Sequence, residues 1–421
     1  MPAPRASILG YVKWVAPRTL YSLADQAATS LANFAISLLL ARYLTVSEYA
    51  AFTLSYSAFL LVGMVQAALV TEPMLVHANG MFRDRAGSYL RLVIEKNWVV
   101  SLILAAPLAI AAGICAALAS DVAAPLLAIA CAAPMVLYHW TARRACYAAL
   151  RPLTAARINI VYLVAVPSAA LLLNRFGLLT AVVAVLVMGL GSALAGWLML
   201  RALRVPRDTA KAVDAGEVRA AHWRFGRWLL GSTGLRWAQG NAVIMLAPAF
   251  LGLGAAGELR VLGLVLMPVL QGVAAIGPLL SPILTRAREA GFVRTLWLAL
   301  CSLAAITGAY YALLLVLGED MLSLAFGERY LHLAPLLAVY GLAPVFSALG
   351  SVLGASLQAL LRTDAVFWAS LVGACTAMVG TLSLVPPLGL TGAIISDVAS
   401  TAALTLVLAV GLFFSLRRDR L

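Results

Sequence analysis

An aspartate at position 25 and an arginine at position 236 stand in stretches too apolar to solvate them. The first stretch reads YSLADQAATSLANFAISLLLARYL, Tyr21 to Leu44, and the second GSTGLRWAQGNA, Gly231 to Ala242. Wound as helices at about 100° per residue, both become two-faced. Ser22, Asp25, Gln26, Thr29, Ser30, Asn33 and Ser37 share a sector of about 140°, and Leu23, Leu31, Phe34 and Leu38 take the other side. In the second stretch Ser232, Thr233, Arg236, Gln239 and Gly240 cluster in the same way, with Asn241 opposite. Asp25 and Ser232 stand 207 residues apart, and so do Thr29 and Arg236.

Polar groups in membrane helices face a bundle interior or a water-filled cavity. A guanidinium there offers a planar fork suited to phosphate, and a carboxylate can exchange a proton or cation. Arg236 lies nine residues beyond Arg227, about 13 Å along a helix. Snorkelling covers only part of that distance. An arginine at mid-helix costs about 2.5–3.5 kcal/mol on insertion scales, so a binding role is the reading that offsets it. Arg236, Gln239 and Ser232 are therefore read as substrate-binding groups, with Asn33 and Gln26 completing the cavity wall. Asp25 is read as the ion- or proton-coupling group. Other polar positions have blander readings. Arg143 and Arg144 serve orientation, Glu72 and Asp397 lie near helix ends, and Arg260 falls among the outer residues.

Catalytic motifs are missing. The three lysines, Lys13, Lys96 and Lys211, follow no glycine, so the chain has no Walker-type ATPase loop. HExxH and GxSxG are absent as well. The five cysteines form no CxxC pair and the four histidines are scattered, which argues against a metal site. The expectation is no catalytic residue, no metal and no cofactor beyond proton or sodium coupling. Movement of a substrate is favoured over chemistry on it.

The elements that must carry these stripes follow from composition. Hydrophobic residues make up 63% of the 421, and charged residues only 11%. Soluble domains carry about a quarter charged residues, so lipid must be the solvent. Twelve apolar runs are long enough to span, at roughly 20–44, 49–72, 97–119, 122–142, 158–174, 178–200, 228–251, 257–284, 295–317, 331–360, 365–385 and 391–416. With the N-terminus cytoplasmic, about 25 of the 30 Lys and Arg fall in inner loops and 4 in outer ones. The predicted fold is an all-α integral membrane protein of twelve transmembrane helices with both termini cytoplasmic. The chain divides into an N-terminal six-helix lobe, 1–203, a cytoplasmic linker, 204–227, and a C-terminal six-helix lobe, 228–421. Such parallel halves are related by an axis along the membrane normal, with a cavity between them. The net charge of +13 does not point to nucleic acid, because the basic residues sit in short loops without interleaved aromatics.

The first two spans also carry a resemblance. Asp25-Gln26, Asn33-Phe34, the run Ala41, Arg42, Leu44, Glu48, Tyr49, and the closing Glu72-Pro73 resemble bacterial polysaccharide-export flippases. These form the Wzx-type branch of the MOP superfamily, which also contains the MATE exporters and lipid II flippases. Ala50 stands where that family often has Gly; Gly252 to Arg260 resembles its matching turn. The resemblance implies a two-lobed, MATE-like flippase of the bacterial cytoplasmic (inner) membrane. Its substrate would be an undecaprenyl-pyrophosphate-linked glycan, with membrane lipid and polysaccharide polymerase or assembly proteins as partners. The alternatives are a MATE-type drug exporter, a non-transporting assembly component, or a major-facilitator transporter. The last rests on GMFRDRAG, Gly80 to Gly87, which resembles that group's loop between helices two and three, although Ser88-Tyr89 replaces the usual basic pair.

Overall fold

A computed structural model describes residues 8–204, 213–287, 291–360 and 362–418. The side chains of 8–19 and of some others, Ser232 among them, lie outside that description. The described residues are almost entirely helical: α1 (Ile8–Tyr43), α2 (Val46–Gln66), α3 (Glu72–Asn79), α4 (Ala86–Ala117), α5 (Ala123–Ala148), α6 (Pro152–Arg175), α7 (Ala181–Leu203), α8 (Ala215–Leu246), α9 (Pro248–Leu251), α10 (Gly254–Ala287), α11 (Phe292–Phe326), α12 (Ala334–Tyr340), α13 (Leu342–Ala359) and α14 (Thr363–Arg418). Helices suit this composition because each satisfies its own backbone in lipid.

Ten helical segments among the described residues are long and apolar enough to cross a membrane. One of them is too long for one crossing. α14 runs 56 residues, about 84 Å at the usual rise, against a hydrocarbon core of about 30 Å. Gly389 breaks it with φ 59°, ψ −137°, just after Pro386 and Pro387. A positive φ is readily adopted only by glycine, so the break is written in the sequence. α8, which carries the arginine stripe, is not among the ten. Its polar content lowers its hydropathy, as expected of a helix with one wet face.

Two compact units divide the chain. The first holds Met1–Leu44 and Ala58–Thr233, the second Thr45–Ser57 and Gly234–Leu421. In the first, α5 packs against α4 and α7, and α1 against α6. In the second, α13 is central, touching α10, α11 and α14. One unit boundary falls in the turn between α1 and α2, and the other two fall inside α2 and α8.

The start of α8, residues 215–227, is fastened within the first unit. α2 is followed by a π-helical turn, Ala67–Thr71, and then Pro73. Proline has no N–H to offer the carbonyl four residues back, which is that of Leu69. His222 takes that acceptor: its Nδ1 donates to the Leu69 oxygen at 3.0 Å. Its Nε2 then accepts from the Tyr89 hydroxyl at 2.6 Å. Burial lowers the His222 pKa to about 4, with His77 nearby adding to the effect and the Leu69 bond opposing it. The ring is therefore neutral, which this donor–acceptor pattern requires. Gly226 completes the contact, since a Cβ there would lie 2.6 Å from the Ala68 oxygen.

Thr45–Ser57 is held within the second unit. Trp237 Nε1 donates to the Ser57 oxygen at 3.1 Å. The Arg260 guanidinium lies 5.9 Å from the centre of the Tyr56 ring.

Candidate functional site

The first unit buries Asp25 completely. Its position on α1 follows from the polar stripe, but its partners come from α5 and α6. Arg143 Nε donates to Oδ2 at 2.6 Å. The Tyr147 hydroxyl donates to the same oxygen at 2.5 Å. Asn159 Nδ2 donates to Oδ1 at 2.5 Å. Asn159 also reaches Thr29 Oγ1 at 3.3 Å, and its own oxygen accepts from His139 Nε2 at 2.8 Å. Arg143 Nη2 donates to Gln26 Oε1 at 2.9 Å. Charge, donors and acceptors thus close on one another. A desolvated carboxylate is tolerable only when paired in this way. Arg143 is the correction to the sequence reading. It is an internal ion-pair partner whose side chain is only 16% exposed, rather than a surface charge that merely orients the chain. Arg144 pairs with Glu72 at 3.0 Å, so neither of those residues is simply solvated.

Asn33, expected on the cavity wall, is partly exposed and hydrogen-bonded to nothing among the described residues. It does not join the Asp25 network.

The second unit contains a cavity of about 730 Å³. Arg236 and Gln239 line it from α8, Arg260 from α10, Tyr340 from α12 and Asp397 from α14. Ser347, Ser351, Ser370 and Thr401 add hydroxyls to the wall. Ser232 falls outside the described side chains. Asp397 and Tyr340 line the same cavity. None of Arg236, Arg260 and Asp397 has an ion-pair partner among the described residues. Two guanidiniums face one carboxylate, so the cavity carries a net positive charge.

Arg260 and Asp397 correct the sequence reading a second time, since Arg260 was counted among the outer residues and Asp397 placed near a helix end. Arg260 lies six residues past the start of α10 and Asp397 eight past the Gly389 break. That is about 9 and 12 Å from those ends. Arg236 lies ten residues before the end of α8, about 15 Å in. All three lie well over a turn inside their helices, and packing brings them to one cavity of the second unit.

No protein-family model matches the chain, and no curated protein sequence matches it. Solved structures do match in fold. An inward-facing multidrug resistance MATE family transporter of the MOP superfamily aligns with a TM-score of 0.71 at 15% identity, covering 95% of this chain and 98% of the other. The lipid II flippase MurJ, in an inward closed conformation, aligns with a TM-score of 0.73 at 12% identity, covering 93% and 87%. A MOP superfamily transporter from Pyrococcus furiosus Vc1, described as having a binding pocket of reverse polarity that suggests a different function, aligns at 0.65 and 14%, covering 96% and 95%. The chain has the fold of the MOP transporters.

Proposed function

We propose that this chain is a flippase for lipid-linked oligosaccharide, with twelve spans and two six-helix lobes that alternate access across the bacterial cytoplasmic membrane. The observation that carries this reading is the charge of the second unit's cavity. Arg236 and Arg260 stand in it unpaired, with a ring of hydroxyls and amides. A pyrophosphate carries charge that two guanidiniums can neutralise, and sugar hydroxyls pair with Ser, Thr and Gln side chains. Asp397, which lines the same cavity, partly offsets the two cations when no anion is bound. The likeness in fold to a lipid II flippase supports the same reading.

Asp25 is the coupling group of the proposal. Protonating it, or supplying a sodium ion that displaces Arg143, would release a guanidinium held by α5. No nucleotide is needed. A MATE-type exporter of cationic drugs is the second reading, and the fold supports it equally. The charge of the cavity opposes it, because a cation would meet two arginines.

The test is reconstitution into vesicles whose inner leaflet holds a lipid-linked oligosaccharide with an undecaprenyl-pyrophosphate anchor. Arrival in the outer leaflet is read by an impermeant glycosidase. Wild type is expected to expose substrate, and Arg236→Ala and Arg260→Ala to do so at least about tenfold more slowly. Equal rates for all three at equal incorporation would sink the proposal. Accumulation of a cationic dye in the same vesicles would favour the exporter.

A further inference from the structure

A second cavity, about 570 Å³, lies wholly within the first unit. Its walls are α4, the π-helical turn after α2, and the start of α8. The groove runs between α8 and α4, beside the bond from His222 to the Leu69 carbonyl. The floor is apolar, formed by residues such as Val93 and Val100, and Val99 and Ile103 are exposed along one edge. The mouth is cationic. Lys96 and Arg219 line it, both are exposed, and neither has an ion-pair partner among the described residues. Exposed Trp223 lines the groove, and exposed Trp98 lies two residues beyond Lys96 on α4, its ring stacked on Tyr138.

Asn97 supplies a separate sign of a missing ligand. It lines the groove and is fully buried. Its oxygen accepts from Gln66 at 3.1 Å and from Thr141 at 2.9 Å. Its Nδ2 has no partner among the described residues. An unmet buried donor is costly, and native chains seldom leave one without reason.

We propose that this groove is a binding site for an anionic phospholipid of the surrounding bilayer. The phosphate would sit between Lys96 and Arg219, and one acyl chain would lie along Val99, Val100 and Ile103. An ester oxygen would meet the donor of Asn97. The combination fits a lipid at the membrane surface. Basic pockets between spanning helices take anionic headgroups, tryptophan marks the headgroup level, and an apolar floor takes the chain. A soluble anion would need the cations but not the floor, and a neutral lipid the floor but not the cations. This site is separate from the arginine cavity of the second unit. Its role would be to hold the start of α8 against α4.

The experiment is native mass spectrometry of the purified full chain with added phosphatidylglycerol or phosphatidylcholine. Wild type should retain one phosphatidylglycerol at concentrations where phosphatidylcholine is lost. Lys96→Gln with Arg219→Gln should lower that retention about tenfold or more. Ile103→Trp, which fills the groove and leaves the charges, should lower it too. Millimolar inorganic phosphate should not displace the lipid. Size exclusion and circular dichroism check folding, and Ile103→Trp carries the test if the double variant cannot be purified. The site is wrong if the double variant or Ile103→Trp keeps phosphatidylglycerol as wild type does. It is equally wrong if phosphatidylcholine is retained as well, or if phosphate alone displaces the lipid. Because retention is read without transport, failure here leaves the flippase reading untouched.

Discussion

The two charged clusters of this chain differ in how completely they are satisfied. Around Asp25, both carboxylate oxygens are taken, by Arg143, Tyr147 and Asn159, and Asn159 is itself met by His139. Around Arg236, two guanidiniums and a carboxylate line a cavity of about 730 Å³ without an ion pair among the described residues. Both clusters are costly to place in a lipid environment. The first offsets its cost internally and is complete as it stands. The second can be completed only by something that enters. Saturation, more than charge, separates a structural or switching network from a binding site.

The largest effect is expected at Asp25. Asp25→Ala leaves Arg143 buried without its partner, and breaking a buried pair from one side costs about 3–5 kcal/mol. Arg143→Ala should cost a similar amount by stranding the carboxylate. The double variant should be less damaged than the sum of the two, with a coupling energy of about 0.5–3 kcal/mol. Thermal unfolding of the purified proteins measures all three. If Asp25→Ala unfolds like wild type, the network does not hold the first unit together and the comparison fails on that side.

The opposite pattern is expected in the second unit. Arg236→Ala removes a cation with no ion-pair or ring contact among the described residues, so stability should stay within about 0.5 kcal/mol, whereas Arg260→Ala also loses the contact with Tyr56 and should cost somewhat more. Transport should fall about tenfold or more, because charge-assisted bonds to a phosphate group are lost. Arg236→Lys should recover part of it, keeping the charge and losing the fork. A loss of stability equal to that of Asp25→Ala would show that the cavity, too, is structural.

A third and smaller effect concerns the clasp between α8 and the π turn. Burial depresses the His222 pKa to about 4, below the ordinary value of about 6.5. The folded clasp therefore binds fewer protons than the released one. Its stability is fully present above about pH 6.5 and falls as pH drops toward 4, by up to about tenfold per pH unit. Amide protection of residues 215–227, corrected for intrinsic exchange, should fall over that window. His222→Gln should lose the pH dependence. Protection that stays flat in wild type would mean that His222 does not carry the contact.

What the sequence revealed and what it hid follow from distance along the chain. The stripes of Asp25 and Arg236 were legible because helical period brings residues three and four apart onto one face. The break at Gly389 was legible because one apolar run ends near 385 and the next begins near 391. Asp25's partners were not, since they lie 118, 122 and 134 residues away. Arg143 was also disguised. A basic residue at the inner end of a span fits the orientation rule whether it faces water or an aspartate. Arg260 and Asp397 were hidden in another way. Each sits only two turns or so from a helix end, and only the packing of α8, α10 and α14 shows that those turns open onto one cavity. The clasp by His222 was hidden too, since its acceptor, the Leu69 carbonyl, lies 153 residues away.

Asn33 tests the comparison where it is weakest. It belongs to the polar face of α1 by helical period, yet it lies outside the saturated network and is only partly exposed. A polar group with no internal partner has nothing to lose internally when it is removed. Asn33→Ala should therefore change stability by less than about 0.5 kcal/mol, as expected of a site without a buried bond. Its effect on transport then decides what it is. If flipping is unchanged, Asn33 only keeps one side of α1 wet. If flipping falls while stability holds, Asn33 behaves like Arg236, and α1 carries both kinds of group two turns apart. A loss of stability as large as that of Asp25→Ala would mean that a missing hydrogen bond is no guide to which polar groups await a ligand.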